Sequence, residues 1–239
     1  MIESGMRKQM WPWGAIRPAP VLCMVSAVLM VLVAGLSDLL FGAFILSVSF
    51  FGVISALALR GIVRSYPHDV LGACNIVTAV RAALLAVLAG AIVAPASGWA
   101  IFGIAAVAFA LDGVDGWLAR RSGLASAFGA RFDMETDAAL GAVLALVLLA
   151  GGTVGPAILV LGFSRYVYVM AGFVWPALQG DLTESFRRKA VCVVQIAALI
   201  ILLCPLTPAI VVMPVSVGAA IALLYSFGVD AFNLLRRPA

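Results

Sequence analysis

The stretch LDGVDGWLARRSGLASAFGARFDMETDAAL, residues 111–140, brings acidic and basic residues together inside an otherwise apolar sequence. It places four aspartates close to hydrophobic segments: Asp112, Asp115, Asp133 and Asp137. A carboxylate that stays charged and unpaired in lipid carries a large free-energy penalty, so ionisable residues in membrane segments mark functional sites by default. This stretch is therefore the first candidate for a functional site.

The composition of the whole chain sets the class of protein. Of 239 residues, 64% are hydrophobic and 11% are charged, and the mean hydropathy is +1.17. This apolar share exceeds that of ordinary soluble domains and predicts an all-α polytopic membrane protein. The net charge of +4 is consistent with membrane topology and with attraction to anionic lipid headgroups, and it does not indicate nucleic-acid binding.

Apolar runs near the length of one bilayer crossing predict eight spans. They lie near residues 21–36, 39–59, 73–93, 98–118, 132–150, 155–175, 190–204 and 209–229. The second run follows the first after only Ser37 and Asp38, which predicts a loop at these two residues. A re-entrant or tilted hairpin at the N-terminus is the alternative to two full spans.

Basic residues predict the orientation, because Lys and Arg accumulate in short cytoplasmic loops. Thirteen of them lie at the termini or in alternate loops: Arg7, Lys8, Arg17, Arg60, Arg64, Arg120, Arg121, Arg131, Arg187, Arg188, Lys189, Arg236 and Arg237. Only Arg81 and Arg165 fall inside predicted spans. We therefore expect both termini and the stretch 111–140 to face the cytoplasm, in a bacterial inner membrane.

The spacing of the four aspartates predicts a metal site. Asp112 and Asp115 are three residues apart and Asp133 and Asp137 are four apart, so each pair shares one helical face. Two such faces together would hold four carboxylates, which repel one another unless protons or cations neutralise them. Carboxylate oxygens suit Mg²⁺ or Mn²⁺, and two ions could hold a diphosphate during phosphoryl displacement.

Residues between the aspartates fit the same chemistry. Gly116, Ala119 and Gly129 have little side-chain bulk, so a nucleotide could approach the backbone beside them. Arg120 supplies a planar donor fork for phosphate. The alternative is structural, since small residues also let membrane helices pack closely and interfacial arginines anchor topology.

The fixed positions and gaps of this pattern resemble the full signature of the CDP-alcohol phosphotransferase (phosphatidyltransferase) family, class I. The pattern consists of Asp112, Asp115, Gly116, Ala119, Arg120, Gly129, Asp133 and Asp137. The resemblance implies a six-helix membrane fold that transfers a substituted phosphate from a CDP-linked donor to an alcohol and releases CMP. It also implies that the four aspartates surround two divalent ions, with Asp137 as the base for the acceptor hydroxyl. By the same resemblance, Asp112, Gly116, Ala119, Arg120 and Gly129 help to hold the CDP moiety.

The resemblance covers roughly residues 70–230, and its start is supported by Asn75, Thr78 and Arg81. Their spacing resembles the opening helix of members that use CDP-diacylglycerol, which makes Thr78 a further candidate for donor binding. We therefore expect a cytoplasmic segment 1–19, an additional membrane hairpin 20–69, a catalytic six-helix domain 70–232 and a cytoplasmic tail 233–239. The hairpin is a candidate for a lateral lipid entry or a homodimer contact.

Basic residues beyond the signature predict the acceptor site. Arg165 lies midway along a predicted span, where a charge needs an anion, and Arg187, Arg188 and Lys189 follow that span. Guanidinium groups bind phosphate oxygens at two points, and bacterial members with a phosphorylated acceptor have a comparable arginine. These residues favour transfer of a phosphatidyl group from CDP-diacylglycerol to an alcohol similar to glycerol 3-phosphate.

Other functions stay open at this point. Within the family, the alternatives are an aminoalcohol phosphotransferase that uses CDP-choline or CDP-ethanolamine, and a synthase with an unphosphorylated acceptor such as serine, inositol or choline. Outside enzymes, a membrane transporter also places carboxylates within helices, and a non-catalytic scaffold could share the fold. The retention of all four aspartates favours an enzyme.

Overall fold

The computed structural model describes residues 17–94, 97–176, 180 and 185–235, and these residues form helices without any strand. The helices are α1 Pro18–Phe41, α2 Phe44–Ser65, α3 Ala73–Gly90, α4 Gly98–Ser122, α5 Ala127–Ala150, α6 Leu159–Val174, α7 Phe186–Leu203 and α8 Ala209–Leu235. A short 3-10 helix, Pro156–Ile158, leads into α6. The all-α class is confirmed. Most of the predicted N-terminal segment, residues 1–16, and residues 236–239 of the predicted tail lie outside the described residues.

The predicted loop at Ser37 and Asp38 is wrong, because α1 continues through both residues to Phe41. Ser37 donates its hydroxyl hydrogen to the carbonyl of Val33 one turn earlier, so this polar side chain is satisfied within the helix. The helix ends at Gly42, which has a left-handed backbone (φ 62°) and donates its N–H to the Asp38 carbonyl at 3.0 Å. The turn therefore forms at Gly42, because glycine can adopt the left-handed backbone, and not at the polar residues Ser37 and Asp38.

The predicted start of the seventh span, at residue 190, is also too late. Helix α7 begins at Phe186, so the basic run from Arg187 to Lys189 forms its first turn and is not a loop. Arg and Lys are good helix formers, so the helix includes them. A boundary drawn from hydropathy leaves them out because they are not apolar.

Six helical segments of the described chain are long and apolar enough to cross a membrane. They are α1, α2, α3, α4, the segment Pro156–Val174 and α8. Helix α7 begins with a charged turn, and α5 carries its charged residues between Arg131 and Asp137. Both helices then become apolar, and their apolar halves include the buried residues Leu144 and Leu199. The polytopic membrane class is confirmed.

Helix α3 forms the centre of the bundle. It packs against α1, α2, α4 and α5, and its side chains at Leu85, Leu88 and Arg81 are almost fully buried. The hairpin of α1 and α2 covers one side of α3, and α2 also reaches α5. Helices α6, α7 and α8 complete the other side. The polar side chains of α3 therefore lie inside the protein and require partners from the surrounding parts of the chain.

Candidate active site

One buried arginine joins the four aspartates of the sequence signature. Arg81 on α3 is 1% exposed, and its guanidinium contacts a carboxylate of each aspartate. Nη1 donates to Asp115 Oδ2 at 2.7 Å and to Asp133, while Nη2 donates to Asp137 and lies 3.2 Å from Asp112 Oδ1. We call the four aspartates, without Arg81, the carboxylate cluster.

The local sequence explains how two helices bring the cluster together. Asp112 and Asp115 lie near the end of α4, and Asp133 and Asp137 lie near the start of α5. The turn between the helices begins at Gly123 in a left-handed conformation (φ 66°). Helix α5 then begins at Ser126, whose side-chain oxygen accepts the Gly129 N–H at 3.0 Å.

The cluster carries more negative than positive charge. Four carboxylates surround one guanidinium, which gives a formal charge of −3 when all five groups are ionised. Asp115 is buried, with 3% of its side chain exposed, whereas about a third of each of the other three carboxylates is exposed. Buried charge of one sign is costly without compensation, so this excess favours the binding of further cations.

The donor atoms fit a hard divalent cation. Carboxylate oxygens of Asp112, Asp133 and Asp137 lie within 4.8 Å of one another. Asp115 lies deeper, where its Oδ2 accepts the Thr78 hydroxyl at 3.0 Å, and its Oδ1 is buried without a hydrogen-bond partner among the described residues. Oxygen-only ligand sets of this kind suit Mg²⁺ or Mn²⁺. The structure thus brings together all four predicted aspartates, three as an open group and one beneath them.

The predicted donor-binding residues surround the cluster. Gly129 faces Asn75, and a Cβ on this glycine would lie 3.0 Å from Asn75 Oδ1, which leaves no room for a side chain without displacement. The Arg120 guanidinium folds back near Gly116, where a Cβ would lie 3.4 Å from Nη1. Ala119, one residue before Arg120, is partly exposed. Arg120 itself is exposed and therefore accessible to a phosphate.

Arg165 has an anionic partner that sequence reasoning missed. Its Nη2 donates to Glu135 Oε1 at 2.5 Å, and its Nε is buried without a hydrogen-bond partner among the described residues. Glu135 lies between Asp133 and Asp137 on α5, and the α5–α6 contact makes the pair. The sequence shows Glu135 between the two aspartates, but it does not show that α6 packs against α5 and brings Arg165 to this carboxylate.

The basic run on α7 is tied to α8. Arg187 donates to the Ser226 carbonyl at 2.6 Å, to the Ser226 hydroxyl at 2.7 Å and to Asp230. The Arg188 Nη1 lies 3.9 Å from Asp230 Oδ1, and Asp230 is 5% exposed. Lys189 is exposed. Asp230 was not predicted as a site residue. It is nevertheless an isolated charge in an apolar run, which is the feature that identified Arg165.

A tyrosine before α3 also contacts the site. The Tyr66 hydroxyl accepts the Gly72 N–H at 3.0 Å and the Asn75 Nδ2–H at 3.3 Å, and it donates to the Val70 carbonyl at 3.1 Å. Partial burial raises the pKa of Tyr66, which keeps the hydroxyl protonated and able to donate. Nearby, the Nε2 of His68 lies 3.2 Å from the Ala125 carbonyl.

The fold and the site together define a class: an integral membrane protein with a cluster of carboxylates, suited to a divalent cation, at the adjoining ends of two helices. The family model for CDP-alcohol phosphatidyltransferase matches residues 71–225, about two thirds of the chain. The chain belongs to this family. It is therefore a transferase of phospholipid biosynthesis that moves a phosphatidyl group from a CDP-alcohol, and the divalent-metal dependence typical of the family fits the cluster. Searches of curated proteins and of solved structures found no match.

The contacts of Arg81 predict that its loss destabilises the bundle. Arg81→Ala should lower the free energy of unfolding by about 3–5 kcal/mol, because buried carboxylates lose their counter-charge. Added Mg²⁺ should restore part of this loss by supplying positive charge. The measurement is the thermal unfolding midpoint in detergent with and without Mg²⁺, and Arg60→Ala, at an exposed site on α2, is the matched control. Equal midpoints for the two variants would contradict this role.

Proposed function

We propose that the chain transfers a phosphatidyl group from CDP-diacylglycerol to the hydroxyl of a small phosphorylated alcohol similar to glycerol 3-phosphate. One arrangement supports this assignment most strongly: the helices that carry the basic residues pack against the helices that carry the carboxylate cluster. Arg165 on α6 pairs with Glu135, which lies between Asp133 and Asp137 on α5, and α7 packs against α4 and α5. An acceptor that carries a phosphate could therefore bind the arginines while its hydroxyl reaches the cluster.

Donor binding uses residues from three helices. Two divalent ions, Mg²⁺ or Mn²⁺, would be held by Asp112, Asp115, Asp133 and Asp137, and they would supply charge neutralisation for the donor diphosphate. The small residues Gly116 and Ala119 would let the cytidine approach the backbone of α4, whereas Gly129 lets α5 pack closely on Asn75. Arg120 would bind a phosphate oxygen from its exposed position, and Thr78 orients Asp115 through its hydroxyl.

Asp137 is the base in this proposal. Arg81 engages its Oδ1, which leaves the second carboxylate oxygen to accept the proton of the acceptor hydroxyl. The acceptor oxygen then forms a bond to the phosphatidyl phosphorus, the bond from that phosphorus to the CMP oxygen breaks, and CMP leaves with the electron pair. The proton stays on Asp137 until it passes to solvent.

The start of α7 supports an anionic acceptor on separate grounds. Arg187, Arg188 and Lys189 form its first turn, and residues 186–189 of that turn include no acidic side chain. The N-terminal end of a helix already carries partial positive charge, so three cations there are unfavourable unless anions lie nearby. Asp230 lies beside both Arg187 and Arg188, and an acceptor phosphate would be a further anion near this turn.

Two ion pairs favour a second candidate, an unphosphorylated acceptor such as serine, inositol or choline. Glu135 neutralises Arg165 and Asp230 neutralises Arg187, so neither guanidinium depends on substrate for a counter-ion. In that case both arginines would be structural. A third possibility differs from both of these in its donor. Use of CDP-choline or CDP-ethanolamine with diacylglycerol would define an aminoalcohol phosphotransferase.

We further propose that the end of the bundle with the cluster faces the cytoplasm. The exposed residues Arg60, Arg64 and Arg121 lie at the same end of their helices as the cluster. Such clustering of arginines is typical of the cytoplasmic side of a bacterial inner membrane.

CMP release by the purified protein tests the activity. With CDP-diacylglycerol, Mg²⁺ and a panel of glycerol 3-phosphate, inositol phosphate, inositol, serine and choline, we expect turnover with a phosphorylated acceptor. EDTA should abolish this turnover and Mn²⁺ should restore it. Asp137→Asn should lower kcat by about 10²-fold or more, as typical for loss of a general base, whereas the exposed Asp38→Asn control should not. Turnover only with CDP-choline or CDP-ethanolamine would contradict the donor assignment.

The pair of Arg165 and Glu135 allows a sharper test of the acceptor site. Arg165→Ala should raise the KM for glycerol 3-phosphate about tenfold or more, as expected for a lost charge-assisted contact, and should leave the KM for CDP-diacylglycerol unchanged. Arg165→Lys should recover part of the loss, because it keeps the charge without the two-point geometry.

Glu135→Gln is the matched comparison for this acceptor test. It removes the competing anion, so the KM for glycerol 3-phosphate should stay the same or fall. If Arg165→Ala and Glu135→Gln instead impaired the enzyme alike, with no change in that KM, Arg165 would be a structural residue.

A further inference from the structure

We infer that Tyr66, which precedes the segment matched by the family model, is a positioning residue for the donor site. This inference rests on the proposed function of that site. Tyr66 lies in the connection between α2 and α3, residues 66–72, and so joins the N-terminal hairpin to the catalytic helices. The hairpin thereby acts on the site as well as on the packing of the bundle.

The hydroxyl of Tyr66 uses its full hydrogen-bonding capacity. A phenol offers one donor and two acceptor sites, and here they serve the Val70 carbonyl, the Gly72 N–H and the Asn75 side-chain amide. Gly72 and Asn75 are buried, so their N–H groups lose a partner that water cannot easily replace if the hydroxyl is removed. Tyr66 therefore fixes both the turn into α3 and the orientation of Asn75.

Asn75 transmits this constraint to the donor site. Its Nδ2 bonds to Tyr66, so its Oδ1 points toward Gly129, and that oxygen is buried without a hydrogen-bond partner among the described residues. Asn75 lies one helical turn before Thr78, which bonds to Asp115. A rotated Asn75 amide would present its NH₂ group or open space beside Gly129 in place of an acceptor.

The ring of Tyr66 holds the start of α5 by a second route. It packs edge-to-face on Phe128, with ring centroids 5.8 Å apart, and Phe128 stacks on Phe132, the residue before Asp133. Helix α2 packs closely against the Phe128 ring, since a Cβ on Gly61 would lie 2.6 Å from one of the ring carbons. The hydroxyl and the ring thus act on different helices and can be tested separately.

The test compares Tyr66→Phe with Tyr225→Phe, which removes a hydroxyl from an exposed tyrosine on α8. The first measurement is the affinity for CMP in the presence of Mn²⁺, by equilibrium dialysis in detergent, and the second is the KM for CDP-diacylglycerol. Tyr66→Phe should weaken CMP binding and raise the donor KM by about threefold to tenfold. The thermal unfolding midpoint should fall modestly, because two buried donors lose their partner, and the acceptor KM should change little. Tyr225→Phe should match the wild type in all of these.

A double-mutant cycle with Asn75→Ala separates positioning from general destabilisation. If Tyr66 acts through Asn75, Tyr66→Phe should have no further effect on CMP affinity in the Asn75→Ala background. Additive effects, or unchanged CMP affinity in Tyr66→Phe, would overturn the inference. Failure of the proposed function is distinct from this, because it would appear as absence of turnover in the wild type whatever the CMP affinities of the variants.

Discussion

The position of Arg81 is the constraint on which the rest of the structure depends. One guanidinium from α3 contacts carboxylates on both α4 and α5, so the relative positions of three helices are fixed by five charged groups. A charge of this kind is stable only at the centre of a bundle, where its partners exclude lipid. This explains why α3 is the most buried helix and why other helices surround it.

The contacts of Arg81 neutralise only part of the negative charge on the four carboxylates. A net charge of −3 in a partly buried site favours cations, and cations favour the diphosphate of a CDP-linked donor. The surrounding arginines follow a related pattern, since Arg165 is held by Glu135 and Arg187 by Asp230. A phosphate that binds Arg165 would compete with Glu135 for the same guanidinium.

Part of this arrangement could be predicted from the sequence, because helical periodicity is a local property. The spacings within residues 111–140 place each pair of aspartates on one face, and the structure brings the two faces together. The central role of Arg81 and the partners Glu135 and Asp230 could not be predicted, since they depend on which helix faces which. The missed end of α1 had another cause: Ser37 satisfies its hydroxyl inside the helix, so polarity did not mark a turn.

The number of Mn²⁺ ions bound per chain tests whether the carboxylate cluster is a two-metal site organised on Arg81. Titration of the purified protein with Mn²⁺, followed by electron paramagnetic resonance of the free ion, measures this number without any turnover. We expect two bound ions per chain in the wild type, fewer in Asp133→Asn, and two in the exposed control Asp38→Asn. Absence of Mn²⁺ binding in the wild type, or equal binding in Asp133→Asn, would contradict this expectation.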